Sequence, residues 1–278
     1  MMGISENIKK VVVMFLICGY LYLAFALWQV PDGRFHIWFL DIGQGDSVLV
    51  KTPEDHQILI DGGPKNTVME ELPQVMPFFD RSIDMVVVSH PHADHIDGLV
   101  EVLKRYKVSA VLFAGINDFG PTYSEFLKEI DEQNIDFFIA EKDLDFRFGD
   151  VFFDVIYPFD QMGLENFKNL NDSSIAMKVV YGEKKIMLTG DLETVGEKEL
   201  VNSGYDLRAN ILKAGHHGSK TSSIFSFVKK VSPEVVVIQT GAGNSYGHPN
   251  KESLDNFELA GVEKVYRNDL DGRVEFVF

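Results

Sequence analysis

The sequence predicts an α/β sandwich of packed sheets and helices, preceded by one transmembrane helix. Three observations lead there. Short β-branched runs repeatedly end in a polar turn, at Asp61, His90, Asp191, His216 and His248, and runs of that kind alternating with helical patterns bring their turns to one rim of a sheet sandwich. Val11 to Trp28 is an uncharged, almost wholly apolar stretch, just long enough to cross a bilayer. The chain's 278 residues suffice for one large domain with a substantial core.

In chain order, Lys9 and Lys10 precede the apolar run, Asp32 follows it, and Trp28 suits an interface. The positive-inside rule then puts the N-terminus in the cytoplasm and everything after Trp28 outside. Ala24-Phe25-Ala26 offers the alternative of cleavage near Ala26 and secretion. An uncleaved anchor is favoured, which makes residues 1–30 the cytoplasmic tip and anchor and 31–278 one folded domain. Residues 35–41, 47–51 and 57–61 read as an antiparallel meander. The turn Gly43-Gln44-Gly45 suits a hairpin needing positive φ at least as well as a phosphate cradle.

A strand over 84–89 runs into Ser89-His90-Pro91-His92-Ala93-Asp94-His95. The helical pattern opens at Asp97-Gly98 and continues to 107, so those polar side chains are expected on the turn before it. A strand over 109–113, a helix over 123–134 and a strand over 137–140 follow. Residues 141–172 are acidic and irregular, with one strand at 151–157, and a loop of that length reads as a lid or substrate wall. Strands over 174–181 and 185–189 lead to Asp191 and a helix through 201. A strand over 210–214 leads to Gly215-His216-His217-Gly218-Ser219-Lys220. A helix over 223–230, a strand over 234–239, a glycine-rich loop over 240–249, a helix over 250–259 and strands over 264–267 and 273–278 complete the pattern. No repeat of fixed period is visible.

The chemistry concentrates on the polar turns. His90, His92, Asp94 and His95 are four potential metal ligands within six residues, and six of the eight histidines fall on the predicted rim. His36 and His56 read as ordinary strand and turn residues. Imidazole and carboxylate without thiolate suit Zn, Mn or Fe, and His90 with His92 would serve one ion, Asp94 with His95 the other. Asp191 ends a buried strand and can bridge two ions. Asp61, at the edge of the third strand, can orient a ligating histidine through its free N–H. His248 precedes a helix start in a glycine-rich setting, and Lys220 is the nearest cation in sequence. Cys18 is the single cysteine, which excludes an intrachain disulfide and a cysteine-based metal cluster. The net charge is −16, and residues 117–207 carry 8 basic against 20 acidic side chains while 208–278 carry 9 against 8. So acidic a body repels phosphate backbones and argues against indiscriminate duplex binding.

The His-x-His-x-Asp-His pattern after a hydrophobic strand resembles the metallo-β-lactamase superfamily. Phe39-Leu-Asp-Ile-Gly-Gln-Gly-Asp-Ser47, Ile60-Asp-Gly-Gly63, Leu188-Thr-Gly-Asp191, His216-His-Gly-Ser219 and Gly247-His-Pro249 further resemble the hydrolase domain of ComEC, the bacterial DNA-uptake protein. The likeness runs from about Phe35 to the C-terminus. It implies a four-layer αββα sandwich with two divalent metal ions, Zn or Mn. It also implies His90, His92 and Asp191 around one ion, and Asp94, His95, Asp191 and one of His216 and His217 around the other. His216 is placed with the ligands; Asp94, His217, His248 and Lys220 are placed with the catalytic groups. Superfamily members supply a further histidine between the first cluster and the bridging aspartate, but here Asn171, Asp172 or Ser173 stands in that region, so one ion is expected to be short of an imidazole and to bind more weakly, recruit water or prefer Mn to Zn. The expected activity is a membrane-anchored, extracytoplasmic phosphodiesterase or nuclease. DNA, possibly single-stranded, is the substrate the resemblance implies, with a small or cell-envelope phosphodiester and a weakly catalytic binding module as alternatives. With one span, uptake would need a separate membrane channel protein.

Overall fold

The computed structural model describes residues 5–28, 32–77, 79–116, 120–159 and 169–278. Helix α1 (Glu6–Trp28) is exposed and is long and apolar enough to cross a membrane, which fits a single-pass anchor; the Trp28 side chain lies outside the described residues. Strands β1 (His36–Phe39), β2 (Val48–Lys51), β3 (Gln57–Ile60), β4 (Ser82–Val88), β5 (Lys107–Phe113) and β6 (Asp136–Ile139) belong to one sheet. Strands β7 (Phe146–Phe148), β8 (Val151–Tyr157), β9 (Ala176–Tyr181), β10 (Lys184–Leu188), β11 (Ile211–Lys213), β12 (Val235–Ile238) and β13 (Lys264–Arg267) form the other. The last strand, β14 (Val274–Val277), returns to the first sheet beside β1.

The two sheets repeat one plan. In the first, β14, β1, β2 and β3 pair antiparallel, and β3 through β6 pair parallel. In the second, β7 through β10 pair antiparallel and β10 through β13 parallel. The junctions between the two modes, β3 with β4 and β10 with β11, each leave two parallel strands ending side by side. The strands expected from sequence are present with their ends unmoved or moved by one or two residues, and the expected meander is β1–β3.

Alternation along each strand builds the layers. Ile37, Phe39, Val48, Val50, Ile58, Ile60, Met85 and Val87 face the second sheet's Val151, Phe153, Val155, Met177, Val179, Ile186 and Leu188. Trp38, Leu49, Leu59, Val86 and Val88 face outward, where α2 (Val68–Val75), α3 (Ala93–Arg105) and α4 (Pro121–Gln133) cover them. Met187, Leu212, Val236 and Ile238 face α5 (Thr194–Asn202), α6 (Phe225–Val231) and α7 (Lys251–Ala260). A short helix α8 (Asn268–Asp271) follows β13. The result is helix, sheet, sheet, helix, and each fully buried Leu or Phe on these faces contributes roughly 1.5–3 kcal/mol.

Four elements depart from the sequence reading, the unexpected α8 and three others. Helix α3 begins at Ala93, with His92 at its N-cap in an extended conformation, so Asp94 and His95 project from the helix's first turn and not from a loop before it. Asp94 there complements the helix dipole, as Lys104 and Arg105 do in the last turn. Helix α2 was hidden by its internal Pro73, which reads as a breaker. Strand β7, three residues long, lies in the stretch expected to be irregular. Residues 160–168 of the expected lid lie outside the described residues.

Candidate metal centre

The rim is built where the parallel strands end. Asp61 follows β3 in the left-handed region, at φ 57°. Ser89 and His90 follow β4, and α3 then starts at once. Glycine makes that close start possible: a Cβ on Gly98 would lie 2.0 Å from Gly62 O, and one on Gly45 would lie 2.2 Å from Asp94 O. Gly43 and Gly45 both have positive φ, in the loop that joins the antiparallel pair β1 and β2, so the hairpin expectation holds for this turn.

Opposite these, Asp191 follows β10 and is not the N-cap of α5, a position Glu193 occupies; Asp191 N–H donates to Ser174 Oγ at 3.0 Å. His216 and His217 follow β11 at φ 46° and 54°. Two consecutive non-glycine residues in this region are strained by about 1–3 kcal/mol each, and hydrogen bonds hold them there. His216 N–H donates to Gly190 O at 3.2 Å, and Ser219 N–H donates to His216 O at 2.8 Å.

The side chains converge on Asp191 Oδ2. The Nε2 atoms of His95, His217, His216 and His90 lie 3.3, 3.4, 3.8 and 3.9 Å from it. His217 Nε2 is also 3.3 Å from Asp94 Oδ2, and His95 Nε2 is 4.0 Å from Asp94 Oδ1. His90 Nε2 and His92 Nδ1 are 3.0 Å apart. His95 Nε2 and Asp191 Oδ1 are buried with no hydrogen-bond partner, and Asp94, His95, Asp191 and His217 each offer one ligand atom, all within 4.8 Å of one another. Unpaired nitrogen and carboxylate oxygen facing one another in a buried site are a donor set for a divalent cation.

The far ring nitrogens set the tautomers. His95 Nδ1 is 2.9 Å from Asp61 Oδ2, His217 Nδ1 donates to Gln239 O at 3.0 Å, and His216 Nδ1 lies 2.9 Å from Glu193 Oε1. In the neutral ring each contact keeps the proton on Nδ1 and leaves the Nε2 lone pair for the centre. Burial works against charge on His95 and His217, yet Asp191, then Asp61 for His95 and Asp46 for His217, push both rings well above the ordinary imidazole range. Without a metal ion that field holds a second proton on Nε2 of each ring; it equally suits a metal cation, which would take the place of those protons. Burial, then the charges of His217 and His216, push His248 down to about 4, so its ring is neutral near pH 7.

Of the residues singled out in sequence, His92, Asp94, Asn171, Asp191, His216, His217 and His248 line one pocket of about 170 Å³, together with Gln44 and Tyr246. His90, His95 and Asp61 lie buried beneath it. Asn171, Asp172 and Ser173 separate clearly. Asn171 lines the pocket with its Oδ1 buried and unpartnered; Asp172 accepts from Glu193 N–H and Ser173 Oγ–H donates to Leu170 O. The geometry ranks His217 above His216 in nearness to the Asp94–His95–Asp191 group, the reverse of their placement from sequence. Lys220 is exposed and absent from the pocket wall. The cation at the centre is instead the buried Lys213, which pairs with Asp46, donates to Gly190 O at 2.8 Å and lies 3.8 Å from Asp191 Oδ1. Lys213 and Asp46 were not found by sequence reasoning. Their signal was position alone: each adjoins a rim motif, but a lysine in an apolar strand carries no mark of its partner.

A model of the metallo-beta-lactamase superfamily matches residues 40–241. Competence protein ComA of Neisseria gonorrhoeae is 32% identical over 252 residues, 89% of this chain and 33% of that protein. ComE operon protein 3 of Bacillus subtilis is 26% identical over 276 residues, 93% of this chain and 35% of that protein. The chain thus spans about a third of the length of these curated relatives. The crystal structure of the metallo-beta-lactamase fold protein YhfI from Bacillus subtilis matches in fold, with a TM-score of 0.57 at 12% identity, over 88% of this chain and 100% of that one.

Proposed function

We propose that this chain, which belongs to the metallo-beta-lactamase superfamily, is a membrane-anchored phosphodiesterase or nuclease of ComEC type that acts outside the cytoplasm with two divalent metal ions. The observation that carries the reading is the convergence of four imidazole nitrogens within 3.9 Å of one Asp191 oxygen. Asp94, His95, Asp191 and His217 would hold one ion. His90, His92 and Asp191 would hold the other, with Asn171 Oδ1 beside them in place of the histidine the superfamily supplies; a carbonyl oxygen there favours Mn over Zn.

When bound, such ions act as Lewis acids and lower the pKa of water from ~16 towards ~7. The residues of this chain do the rest. Asp61 holds the His95 tautomer, Gln239 O holds that of His217, and the buried Lys213 offsets the charge of Asp46 and Asp191. His216 and the neutral His248 face the pocket, where the His248 ring N–H can donate a hydrogen bond to a phosphate oxygen, while His216 could pass a proton to the departing alkoxide only from its doubly protonated form, with Nδ1 held by Glu193. The competence relatives support DNA as the substrate. The charge of −16 supports the second reading, a small or cell-envelope phosphodiester.

Hydrolysis by the full chain in detergent, with Mn or Zn, tests both. Turnover of single-stranded DNA that disappears in Asp191→Ala supports the nuclease. Turnover of bis-p-nitrophenyl phosphate alone supports the smaller diester, and two bound metals without any turnover would leave a binding module.

A further inference from the structure

We propose that Tyr246 is a stacking platform for a base of single-stranded nucleic acid whose adjacent phosphodiester link sits in the pocket. The inference rests on the nuclease reading and names the substrate class it takes. A pocket of about 170 Å³ is smaller than the roughly 300–1,000 Å³ typical of sites that enclose a whole small molecule. It admits a phosphodiester link and leaves the groups on either side of that link at the rim.

Tyr246 stands on that rim. It lines the pocket yet remains 71% exposed, and its ring stacks on His248 with centroids 5.8 Å apart and planes 24° apart. One face therefore rests on a residue of the pocket while most of the ring meets solvent. Its loop is held firmly. Asn244 Nδ2–H donates to His248 O at 2.7 Å and to Gly241 O at 3.0 Å, and His248 N–H donates to Asn244 Oδ1 at 3.0 Å. An aromatic ring fixed in this way loses little freedom on binding.

Gln44 joins the same site from the other sheet. Its Oε1 accepts from Thr240 Oγ–H at 3.1 Å and from Gly241 N–H at 3.2 Å, while its Nε2 is buried without a partner. That unpaired donor on the pocket wall suits a phosphate oxygen. The charge that favours a smaller diester does not bear on a stacking contact. With a net −16, attraction to a phosphate backbone cannot supply the affinity, whereas stacking on a neutral ring does not depend on charge. A poly(glycerol phosphate) polymer has no ring to place on Tyr246.

The test uses the full chain in detergent, loaded with Mn, and two labelled phosphorothioate strands of equal length and charge, one oligothymidylate and one abasic. Tyr246→Ala is expected to weaken oligothymidylate binding about 5- to 100-fold and to leave abasic binding unchanged, and Tyr246→Phe is expected to retain the wild-type preference. Equal loss on both strands, or loss on neither, overturns the platform even if wild-type protein cleaves DNA. If wild-type protein hydrolyses bis-p-nitrophenyl phosphate but neither binds nor cleaves either strand, the nuclease reading fails and the platform fails with it.

Discussion

Replacing Asp61 with asparagine tests whether the centre depends on a fixed histidine tautomer. Asp61 accepts three donors: Ser89 N–H at 2.8 Å, Ser89 Oγ–H at 2.6 Å and the His95 ring at 2.9 Å. Burial pushes the Asp61 carboxyl up, and His95 pulls it down. Asparagine tolerates the left-handed backbone as aspartate does and can still accept from Ser89 N–H through its oxygen. Its NH₂ then faces His95 Nδ1, which must become an acceptor, so the ring proton moves to Nε2 and the lone pair facing Asp191 is lost. Removing such a supporting partner typically costs 10- to 100-fold in metal affinity, or about 1.4–2.8 kcal/mol. Competitive titration of Mn or Zn against a chelator should show one site weakened by that factor, with the urea midpoint of metal-free protein little changed. Affinities within about twofold of wild type at both sites, in a folded Asp61→Asn protein, would refute the reasoning.

Lys213→Met should destabilise the metal-free protein by about 3–5 kcal/mol, because it leaves the buried Asp46 carboxylate without its cation; equilibrium urea unfolding measures this, and Lys213→Met with Asp46→Asn should recover much of the loss. Gly98→Ala places a methyl group against Gly62 O and should cost about 1–3 kcal/mol from overpacking, with weaker metal binding as α3 and its Asp94 and His95 shift; calorimetry and metal titration read the two effects. Glu197 is buried, and burial pushes its carboxyl from 4.5 up to about 8, against the pull of Ile224 and Ser223 N–H. A folded pKa above the unfolded one means that the native state holds the extra proton, so this group's contribution is complete below about pH 4.5 and is lost as pH rises through about 8. The stability difference between wild type and Glu197→Gln should therefore move in favour of the glutamine variant from pH 5 to pH 8.5, and a difference independent of pH would refute it.

The parts of this protein legible in the sequence are those whose signal is local. Strands announce themselves through β-branched alternation, the apolar anchor through a run without charge, and the His90–His95 cluster through six residues whose chemistry belongs together whatever the fold. Strand ends carrying Asp61, Asp191 and His216-His217 could be placed on one rim because a polar residue closing a buried strand has few other places to go. What only the tertiary structure decided depends on residues far apart in sequence. Gln44 meets Thr240 across 196 residues, and Asp46 finds Lys213 only when β2 and β11 are brought together by packing of the two sheets. The repeat of one strand plan in both sheets leaves no periodic trace, because hydrogen bonding between backbones makes the plan and many apolar sequences satisfy it. Which of His216 and His217 stands nearer the Asp94–His95–Asp191 group, and which of Asn171, Asp172 and Ser173 lines the pocket, depends on which way adjacent side chains point. Adjacent residues share composition and neighbourhood in the sequence, and only the positions of their side chains in the folded chain tell them apart.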